Sequence, residues 1–373
     1  MNLDVTTHAH VEIDLNAIQA NATAIKTHSQ GQLIAVVKAD AYGHGAIPVA
    51  EALQTIADMF AVATVQEGIE LRKAGIQKPI LTLFSPLPDL AEDIVFYDLT
   101  PAVDNFTLAQ KLNKAVKDGK PRSQRASTER VKVHVDVNTG MNRCGVRYTE
   151  AAEFLKKLKT LPHLEVGGIF THFATADETD KSFAHLQLDR FSSVLTSILN
   201  VPMKHAANSA AALAMPESHF DAVRPGLSLY GIYPADEKPI QLQPALTWKA
   251  RVGWVDFIEQ GEGVSYGLTY QAPSQTRVAG IQVGFGDGYP RPLLGIGEVL
   301  IGGKRCRIIG SICMDMMVVQ LESSDNVAVG DEVVLIGKQG SEEITIYEVA
   351  ERANTIPYEI LISIAKRVNR IYS

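Results

Sequence analysis

Strand and helix patterns alternate in LIAVVKADAYGHGAIPVAEALQTIADMFAVATVQEGIELRKAGIQKPILTLF, residues Leu33–Phe84. Three short apolar runs in this stretch predict strands at Leu33–Ala39, Met59–Ala63 and Ile80–Phe84. Between the second and third runs, Thr64–Lys73 places its apolar residues at helical spacing, which predicts an amphipathic helix. Strands that alternate with helices form parallel sheets covered by helices, so this stretch predicts an α/β fold.

The same alternation continues as far as Tyr230. Further strands are predicted at Ile94–Leu99, Val131–Val137, Val166–Thr171, Met203–Ala207 and Ala222–Leu229, and further helices at Asn105–Lys117 and Thr149–Lys159. Eight strands, seven of them followed by helical candidates, favour a (β/α)8 TIM-like barrel. A doubly wound open sheet is the alternative, but no GxGxxG motif follows the first strand. The polar, breaker-rich stretch Asp118–Glu129 is predicted to be a surface loop.

The pattern changes after Leu242, where short β-rich runs interrupted by glycine predict a mainly antiparallel β C-terminal domain. These runs are Arg251–Ile258, Arg277–Val283, Glu298–Ile301 and Asp331–Ile336, and a helix is predicted at Ile346–Ala353. The sequence therefore predicts two domains, a barrel in residues 1–240 and a β domain in residues 241–373. Residues 1–15 are expected to pair with the β domain through Val11–Leu15.

The composition excludes several classes of protein. With 35 Lys plus Arg against 42 Asp plus Glu, the net charge of −7 argues against binding to nucleic acid, which needs a basic face. No window of about 18 apolar residues predicts a membrane span, and the first ten residues lack a signal-peptide pattern. The three cysteines form no CxxC pair, and no HxxxH motif or Cys/His cluster suggests a metal site. We therefore expect a cytoplasmic protein without a metal ion.

Polar residues follow the ends of several predicted barrel strands: Lys38, Asp136, Arg143, His172, Asn208, Ser209 and Arg224. Because the carboxyl ends of barrel strands converge on one mouth, we expect these side chains to form a single site. Lys38 follows four apolar residues, so partial desolvation would lower the pKa of its amine and make it nucleophilic. A lysine whose amine extends out to water is the alternative that position alone leaves open.

Two segments suggest a phosphate site near that lysine. Asn208 and Ser209 open an Ala-rich helical run, where a hydroxyl and N–H groups suit a phosphate, although an ordinary helix N-cap has the same pattern. Arg224–Gly226 adds a rigid turn and a guanidinium at the last strand, and barrels often bind phosphate at the loops after their last strands. An amine beside a phosphate site matches the needs of pyridoxal 5′-phosphate (PLP), whose aldehyde condenses with a lysine.

The segment AVVKADAYGHG, residues Ala35–Gly45, resembles the cofactor-lysine motif of the alanine racemases. Seven further segments follow in the order of that family: Asn138–Val146, Phe170–Glu178, His205–Leu213, Arg224–Gly231, Val264–Tyr270, Val283–Arg291 and Cys313–Asp315. The resemblance extends from about Ile13 to the end of the chain. It implies a PLP-dependent racemase that interconverts L-alanine and D-alanine.

The resemblance also implies a pair of bases. Lys38 would bind the cofactor covalently and act as the base on one face of the α-carbon of the substrate. Tyr266 of the partner subunit would act on the opposite face, which implies a homodimer with shared active sites. Arg224 and His172 match the hydrogen-bonded chain that makes this tyrosine more acidic than its usual pKa near 10.

The other site residues are assigned by the same resemblance. Arg224 would face the pyridine nitrogen, which a permanently charged guanidinium leaves unprotonated. Arg143 would contact the phenolic oxygen of the cofactor and the substrate carboxylate, and the backbone N–H of Met314 would bind that carboxylate from the partner subunit. The cofactor phosphate would be held at Tyr42, Ser209, Gly226, Leu227 and Tyr358, with Asn208 also among the cofactor-binding residues.

Three positions depart from the family pattern. Asp136 stands where many members have a carbamylated lysine, so it keeps the negative charge but has a shorter side chain. Asn138 stands where aspartate is usual, and Phe285 replaces a tyrosine common near the entrance. These departures leave open an alternative function, a broad-specificity racemase acting on alanine and serine or on lysine.

Two hypotheses from other classes are weaker. The segment Gly263–Gly267, GVSYG, matches the GxSxG motif of serine hydrolases, but that fold needs a later histidine and the last one is His219. A PLP-binding regulatory barrel would lack a β domain of this size. The sequence therefore predicts a cytoplasmic, homodimeric alanine racemase that supplies D-alanine for the cell wall and contacts neither nucleic acid nor membrane.

Overall fold

The computed structural model describes residues 8–118, 129–198 and 201–373. Residues 1–7, the start of the segment expected to pair with the β domain, and residues 119–128, most of the predicted surface loop, lie outside the described residues. The chain divides into two compact units. One comprises Leu15–Pro244, and the other combines Met1–Asp14, which contains strand β1 (Ala9–Ile13), with Ala245–Ser373.

The unit Leu15–Pro244 is a closed barrel of eight parallel strands, which confirms the predicted fold class. Its strands are β2 (Gln32–Val36), β3 (Met59–Val62), β4 (Ile80–Thr82), β5 (Thr100–Val103), β6 (Val131–Asn138), the short β7 (Val146–Arg147) beside β6, β8 (Leu164–Phe170), β9 (Met203–His205) and β10 (Ala222–Val223). Strand β5 pairs with β6 and β10 pairs with β2, so the eight strands other than β7 form a closed barrel.

Helices alternate with these strands. They are Leu15–Ser29, Ala46–Leu53, Val65–Lys73, Ala91–Phe96, Phe106–Lys117, Ala151–Leu158, Ser182–Ser197 and Ser209–Ala214. Side chains start several of them: Thr64 accepts a hydrogen bond from the N–H of Glu67, and Asn105 accepts one from the N–H of Leu108. All four residues of β3 are buried, as expected for a parallel strand covered on both faces.

Two strand predictions differ from the structure. The strand predicted at Ala222–Leu229 is limited to Ala222–Val223 and is followed by a 3₁₀ helix at Leu227–Tyr230. Ile94–Leu99 was expected to be a strand, but the chain forms a helix at Ala91–Phe96 and the strand follows at Thr100–Val103. Glu92 and Asp93 lie in the first turn of this helix, where their charges favour the helix dipole. Ile94 and Val95, which suggested a strand, are buried together with Ala91 on one face of this helix. The number of barrel strands stays at eight.

The other unit is built on a nine-stranded, mainly antiparallel sheet. Its strands are β1, β11 (Leu246–Ile258), β14 (Thr276–Ile281), β15 (Glu298–Ile301), β16 (Lys304–Ile309), β17 (Met317–Leu321), β18 (Glu332–Gln339), β19 (Glu342–Ile344) and β20 (Asn369–Tyr372), with a separate hairpin of β12 (Gly263–Val264) and β13 (Tyr270–Gln271). Strand β1 pairs antiparallel with β11 and parallel with β20. Two helices, Ile346–Arg352 and Pro357–Ser363, precede β20.

Within the residues that the model describes, no helix combines the length and the apolar character needed to cross a membrane.

Candidate active site

Lys38 lies two residues after the end of β2, at the start of a left-handed turn. The next four residues, 39–42, all have φ between 51° and 54°. Outside glycine, the left-handed conformation costs about 1–2 kcal/mol per residue, so surrounding contacts must hold this turn. The predicted strand was expected to run to Ala39, and that boundary is wrong because the backbone changes direction at Lys38.

Two carboxylates hold the turn, one from outside it and one from within it. Glu67 accepts a hydrogen bond from the N–H of Ala39 at 2.7 Å. Asp40 accepts one from the N–H of Ala46 at 2.7 Å, which joins the turn to the helix that follows. Within the turn, the N–H of Gly43 donates to the carbonyl of Ala39 at 3.0 Å. The turn is therefore held at both of its ends.

The surroundings of Lys38 lower the pKa of its amine. Burial is the main cause and the positive charge of Arg143 adds to it, while Glu67 acts in the opposite direction. The Nζ atom lies 5.9 Å from the centre of the Phe84 ring. A lysine with a lowered pKa has more of its neutral, nucleophilic form at neutral pH, as required for reaction with an aldehyde.

Arg224 is buried and makes a set of short hydrogen bonds inside the barrel. Its guanidinium donates to the carbonyls of Thr171 and Ala206, at 2.7 and 3.0 Å, and to Nδ1 of His205 at 2.7 Å. Because arginine only donates, Nδ1 of His205 must accept, and its Nε2–H then donates to Nδ1 of His134 at 2.9 Å. Arg224 thus fixes the tautomers of both histidines.

His134 and His205, the two histidines of this hydrogen-bonded network, are both neutral. Burial, with the charges of Lys132 and Arg224, lowers the pKa of His134 to about 3. The pKa of His205 is lowered well below its usual value by burial and then by the charge of Arg224. Burial also lowers the pKa of Arg224 to about 10, which still leaves it charged at neutral pH. The network therefore concentrates its positive charge on the guanidinium.

His172 joins the cationic residues in one region. Its Nδ1 lies 3.4 Å from Nη2 of Arg224. Burial lowers the pKa of His172 well below its usual value, and the charges of Arg224, Arg143 and Lys38 add to this effect. The structure thus brings four residues together at the carboxyl ends of barrel strands. Lys38 follows β2, Arg143 follows β6, His172 follows β8 and Arg224 follows β10. An anionic ligand would be attracted to this region.

A narrow recess is formed by the turns after β9 and β10. The hydroxyl of Ser209 accepts the N–H groups of Gly226 and Ser228 at 2.8 and 3.3 Å, and Asn208 caps the helix that Ser209 begins. Leu227 begins the short turn that follows Gly226. A side chain at Gly226 would place its Cβ 2.3 Å from the hydroxyl oxygen of Tyr42, so the Tyr42 ring would have to move. Tyr42, Ser209, Gly226 and Leu227 are therefore brought together.

Asp136 and Cys144 form a buried connection to Arg143. The Asp136 side chain is 4% exposed, and its carboxylate shares a hydrogen bond with the Cys144 thiol, which also bonds to Arg143. Burial, followed by the charge and hydrogen bond of Asp136, raises the pKa of Cys144 to about 11, so the thiol keeps its proton. The guanidinium of Arg143 lies over the Phe84 ring, 5.0 Å from its centre. Arg143 is thus held from two sides.

Asp136 destabilises the fold at neutral pH. Burial, aided by the charge of Asp104 and opposed by the Cys144 hydrogen bond and by Arg224 and Arg143, raises its pKa from 3.8 to about 6. A carboxyl whose pKa is higher in the folded state favours folding only while it is protonated, so stability falls as the pH rises through this interval. Such a cost at a buried position is typical of functional sites.

We expect Asp136→Asn to raise the free energy of unfolding at pH 8 by about 3 kcal/mol, because the amide carries no charge that burial penalises. Near pH 4 the gain should largely disappear, since the folded wild-type carboxyl is then protonated and the unfolded one is only partly ionised. Urea unfolding at the two pH values measures the difference. Asp177→Asn, at an exposed position, is the matched control. An equal gain at both pH values would contradict the assignment.

Tyr266 lies in the other unit, on a strained and exposed loop. Its side chain is 78% exposed. Ser265, directly before it, has φ 62° and ψ −168°, and Leu268 has φ 44°, both rare for residues other than glycine. The Ser265 hydroxyl donates to the carbonyl of Ser311 at 2.7 Å, and the Ser311 hydroxyl donates to the carbonyl of Tyr266 at 2.7 Å. This reciprocal pair holds the strained backbone that presents the phenol.

Met314 and Tyr358 belong to the same unit as Tyr266. Met314 is exposed, and its carbonyl accepts the N–H of Gly286 at 2.8 Å. Asp315, beside it, pairs with Arg367 at 2.7 Å. Tyr358 is half-buried on the helix Pro357–Ser363. Asp315 therefore has a structural role, fixing the turn in which Met314 presents its backbone.

The Ser265 hydroxyl lacks the geometry of a hydrolase nucleophile. Its hydrogen bonds go to the carbonyl of Ser311 and to the thiol of Cys313, at 3.1 Å. In the described parts of the chain no histidine bonds to it, so the general base that activates a serine nucleophile is missing.

Several residues of the site were not predicted from the sequence. Five residues contact or influence the predicted ones: His134, His205, Glu67, Phe84 and Cys144. The T-x-x-E pattern of Thr64 and Glu67 identifies a helix start, but it gives no sign of the second contact that Glu67 makes. Such contacts join distant segments and leave no local signal.

Models of two families together match nearly the whole chain. The alanine racemase N-terminal domain matches residues 13–234, and the alanine racemase C-terminal domain matches residues 245–372. An alanine racemase of Symbiobacterium thermophilum is 44% identical over all of this chain and 99% of its own length.

Solved structures with the same fold point the same way. An alanine racemase of Clostridium difficile 630 superposes with a TM-score of 0.92 at 34% identity, covering 99% of this chain and 97% of that one. An alanine racemase of Bartonella henselae, described with covalently bound pyridoxal phosphate, has a TM-score of 0.88 at 28% identity, covering 98% of this chain and all of that one.

Proposed function

This chain belongs to the alanine racemase family, and we propose that it is a PLP-dependent isomerase that interconverts L-alanine and D-alanine by a two-base mechanism. The observation that carries the proposal is the cluster around Lys38. The Lys38 amine, whose pKa is lowered, lies in one region with Arg143, His172 and Arg224. Gly226 adjoins the Tyr42 hydroxyl in the recess, where a larger side chain would displace the ring.

The residues present fit the cofactor. Lys38 would supply the amine for its aldehyde, and the recess of Tyr42, Asn208, Ser209, Gly226 and Leu227 would supply hydroxyl and backbone groups for its phosphate. When bound, PLP would withdraw electrons from the α-carbon of the amino acid and make its α-proton removable by a side-chain base. Arg224 would donate a hydrogen bond to the ring nitrogen and, remaining charged, leave it unprotonated.

Two bases divide the proton transfer between the two faces of the α-carbon. Lys38 Nζ would remove or return the proton on the D side, and the Tyr266 phenol of the partner subunit would do so on the L side. A single base tends to return the proton to the face it left, so two are needed for inversion. Tyr266 is exposed on a loop held in a strained conformation. This supports the proposal that it acts in the active site of another subunit of a homodimer.

The substrate carboxylate would be held by Arg143 and by the backbone N–H of Met314 of the partner subunit. The hydrogen bond that Arg143 donates to Cys144 and its contact with Phe84 restrict its guanidinium, which favours a fixed position for that carboxylate. The product D-alanine would serve cell-wall synthesis in the cytoplasm. A broad-specificity racemase remains the second candidate, because Asp136, Asn138 and Phe285 depart from the family pattern.

The proposal is tested by racemisation of L-alanine, L-serine and L-lysine with purified protein, while its visible spectrum is recorded. A visible band of lysine-bound PLP with strong preference for alanine is the expected result. The same band with comparable turnover of serine or lysine would move the assignment to a broad-specificity racemase. The absence of both band and turnover, even with added PLP, would overturn the proposal.

We expect Gly226→Ala to weaken PLP binding by about tenfold or more, because the new Cβ would displace the Tyr42 ring from the phosphate recess. Titration of the cofactor-free protein with PLP, followed by its visible band, measures the affinity. Gly31→Ala is the control, since its Cβ would lie 3.3 Å from the carbonyl of Asp221, a contact that a small shift relieves. Unchanged affinity in Gly226→Ala would place the phosphate elsewhere.

A further inference from the structure

The carboxylate of Glu67 joins two loops at the mouth of the barrel. One oxygen accepts the N–H of Ala39 at 2.7 Å, and the other accepts the N–H groups of Ala63 and Thr64 at 2.8 and 3.0 Å. Ala39 is the residue after Lys38, whereas Ala63 and Thr64 follow β3. A single side chain therefore ties the turn that carries the lysine to the end of the neighbouring strand.

The turn has reason to need such a tie. Four consecutive residues, 39–42, are left-handed, and the N–H of Ala41 donates to the carbonyl of Val37, before the turn, at 3.0 Å. The N–H of Ala39 donates to Glu67 instead. A hydrogen bond from a backbone N–H to a carboxylate is about twice as strong as one between neutral groups. Glu67 is thus well suited to offset the strain of the turn.

Glu67 also acts on Lys38 through its charge. The groups that face the amine are Arg143, which lowers its pKa, and Glu67, which raises it, while His172 is kept neutral by burial and by the surrounding positive charges. Removing the negative charge of Glu67 would leave Arg143 unopposed. The same carboxylate therefore holds the turn that carries the lysine, and its charge partly offsets the effect of burial and Arg143 on the pKa of the amine.

We propose that Glu67 is a positioning residue for Lys38, which fixes the left-handed turn that carries this lysine at the mouth of the barrel. Its reciprocal bond with Thr64 at the helix start is a second and separate role. The importance of this positioning for catalysis rests on the proposed function, but the positioning itself does not.

The central variant is Glu67→Gln. A glutamine has one acceptor oxygen, and if that oxygen faces the two N–H groups of Ala63 and Thr64, its NH2 group opposes the N–H of Ala39. Thr64→Ala is the matched control, because it removes the side-chain cap of the same helix and leaves the Ala39 contact intact. Glu70→Gln, at an exposed position on that helix, controls for the loss of charge.

Two measurements separate positioning from capping. The first is competitive acetylation of lysines in the full chain without cofactor, in which mass spectrometry follows Lys38 over a series of pH values. The second is the rate of PLP uptake, followed by its visible band. We expect Glu67→Gln to shift the acetylation midpoint of Lys38 to lower pH and to slow uptake by about tenfold or more, as expected when a reacting group is misplaced.

Thr64→Ala should lower the melting temperature by about 2–4 °C, as expected for the loss of one cap in a domain of this size, and leave both readouts unchanged. If Glu67→Gln fails to fold, the combination with Ala39→Gly replaces it, since glycine adopts a φ of 51° without strain. Its acetylation midpoint is then compared with that of Ala39→Gly alone.

Glu67 would be only a helix cap if Glu67→Gln and Thr64→Ala gave the same acetylation midpoint and the same uptake rate as the wild type. That result would overturn the inference. A wild-type protein that binds PLP but does not racemise alanine would instead remove the proposed function, and the acetylation of Lys38 would still test Glu67.

Discussion

Lys38→Ala abolishes the visible band of lysine-bound PLP and lowers racemisation of alanine by at least about a thousandfold, as expected for loss of a nucleophile that also serves as a base. The amine has no substitute, because the other cationic groups of the region, Arg143 and Arg224, are guanidiniums that neither condense with an aldehyde nor release a proton at neutral pH. Absorbance spectra and a coupled assay for D-alanine measure both effects.

Lys156→Ala is the matched control, because Lys156 is an exposed lysine on the helix Ala151–Leu158 of the same unit. It should keep the band and the activity. Circular dichroism of Lys38→Ala shows whether the fold survives. A folded Lys38→Ala protein that retains the band would mean that another lysine binds the cofactor, and the site would have to be moved.

The barrel was predictable because each buried parallel strand requires a run of apolar residues, and stretches with helical spacing separate most of these runs. Where a helix also buries two adjacent apolar residues, as at Ile94 and Val95, the sequence pattern cannot separate the two structures. The charges of Glu92 and Asp93 at the helix start were the signal that could have corrected this prediction.

The left-handed turn after β2 was beyond sequence reasoning of this kind. Among residues 39–42 only Asp40 is of a type that adopts positive φ more often than most, and then as a single residue, so the sequence does not indicate four such residues in succession. The conformation is imposed by contacts with Glu67 and Ala46, which belong to other elements. Local preference yields to tertiary contacts here, as it often does at functional sites.

Polar residues at strand ends were predictable individually, whereas their connections were not. Lys38 and Arg224 are conspicuous because they interrupt or follow apolar strands. The chain of hydrogen bonds from Arg224 through His205 to His134 depends on the closure of the sheet, which brings β10, β9 and β6 together inside the barrel. Only the folded structure supplies that geometry.

Tyr266→Phe should slow removal of the α-proton from L-alanine by about a hundredfold or more, the usual contribution of a general base, and spare its removal from D-alanine. The phenylalanine ring fills the same volume but has no group that accepts a proton. The hydrogen bonds that the Ser265 and Ser311 hydroxyls donate to main-chain carbonyls, and which hold the loop, are unaffected by the change. The loss should therefore be chemical and confined to one face of the α-carbon.

The two directions of racemisation cannot reveal this asymmetry, because L-alanine and D-alanine have equal free energy and any variant must keep the same kcat/KM in both directions. The measurement is instead exchange of the α-hydrogen with deuterated water, started separately from each enantiomer and followed by proton NMR. Exchange from D-alanine should continue through Lys38, while exchange from L-alanine falls. Tyr270→Phe, whose hydroxyl lies 3.5 Å from Gln320, is the control. Equal loss of exchange from both enantiomers would contradict the assignment of Tyr266 as the base of the L side, since a residue that only shapes the site would slow both faces together.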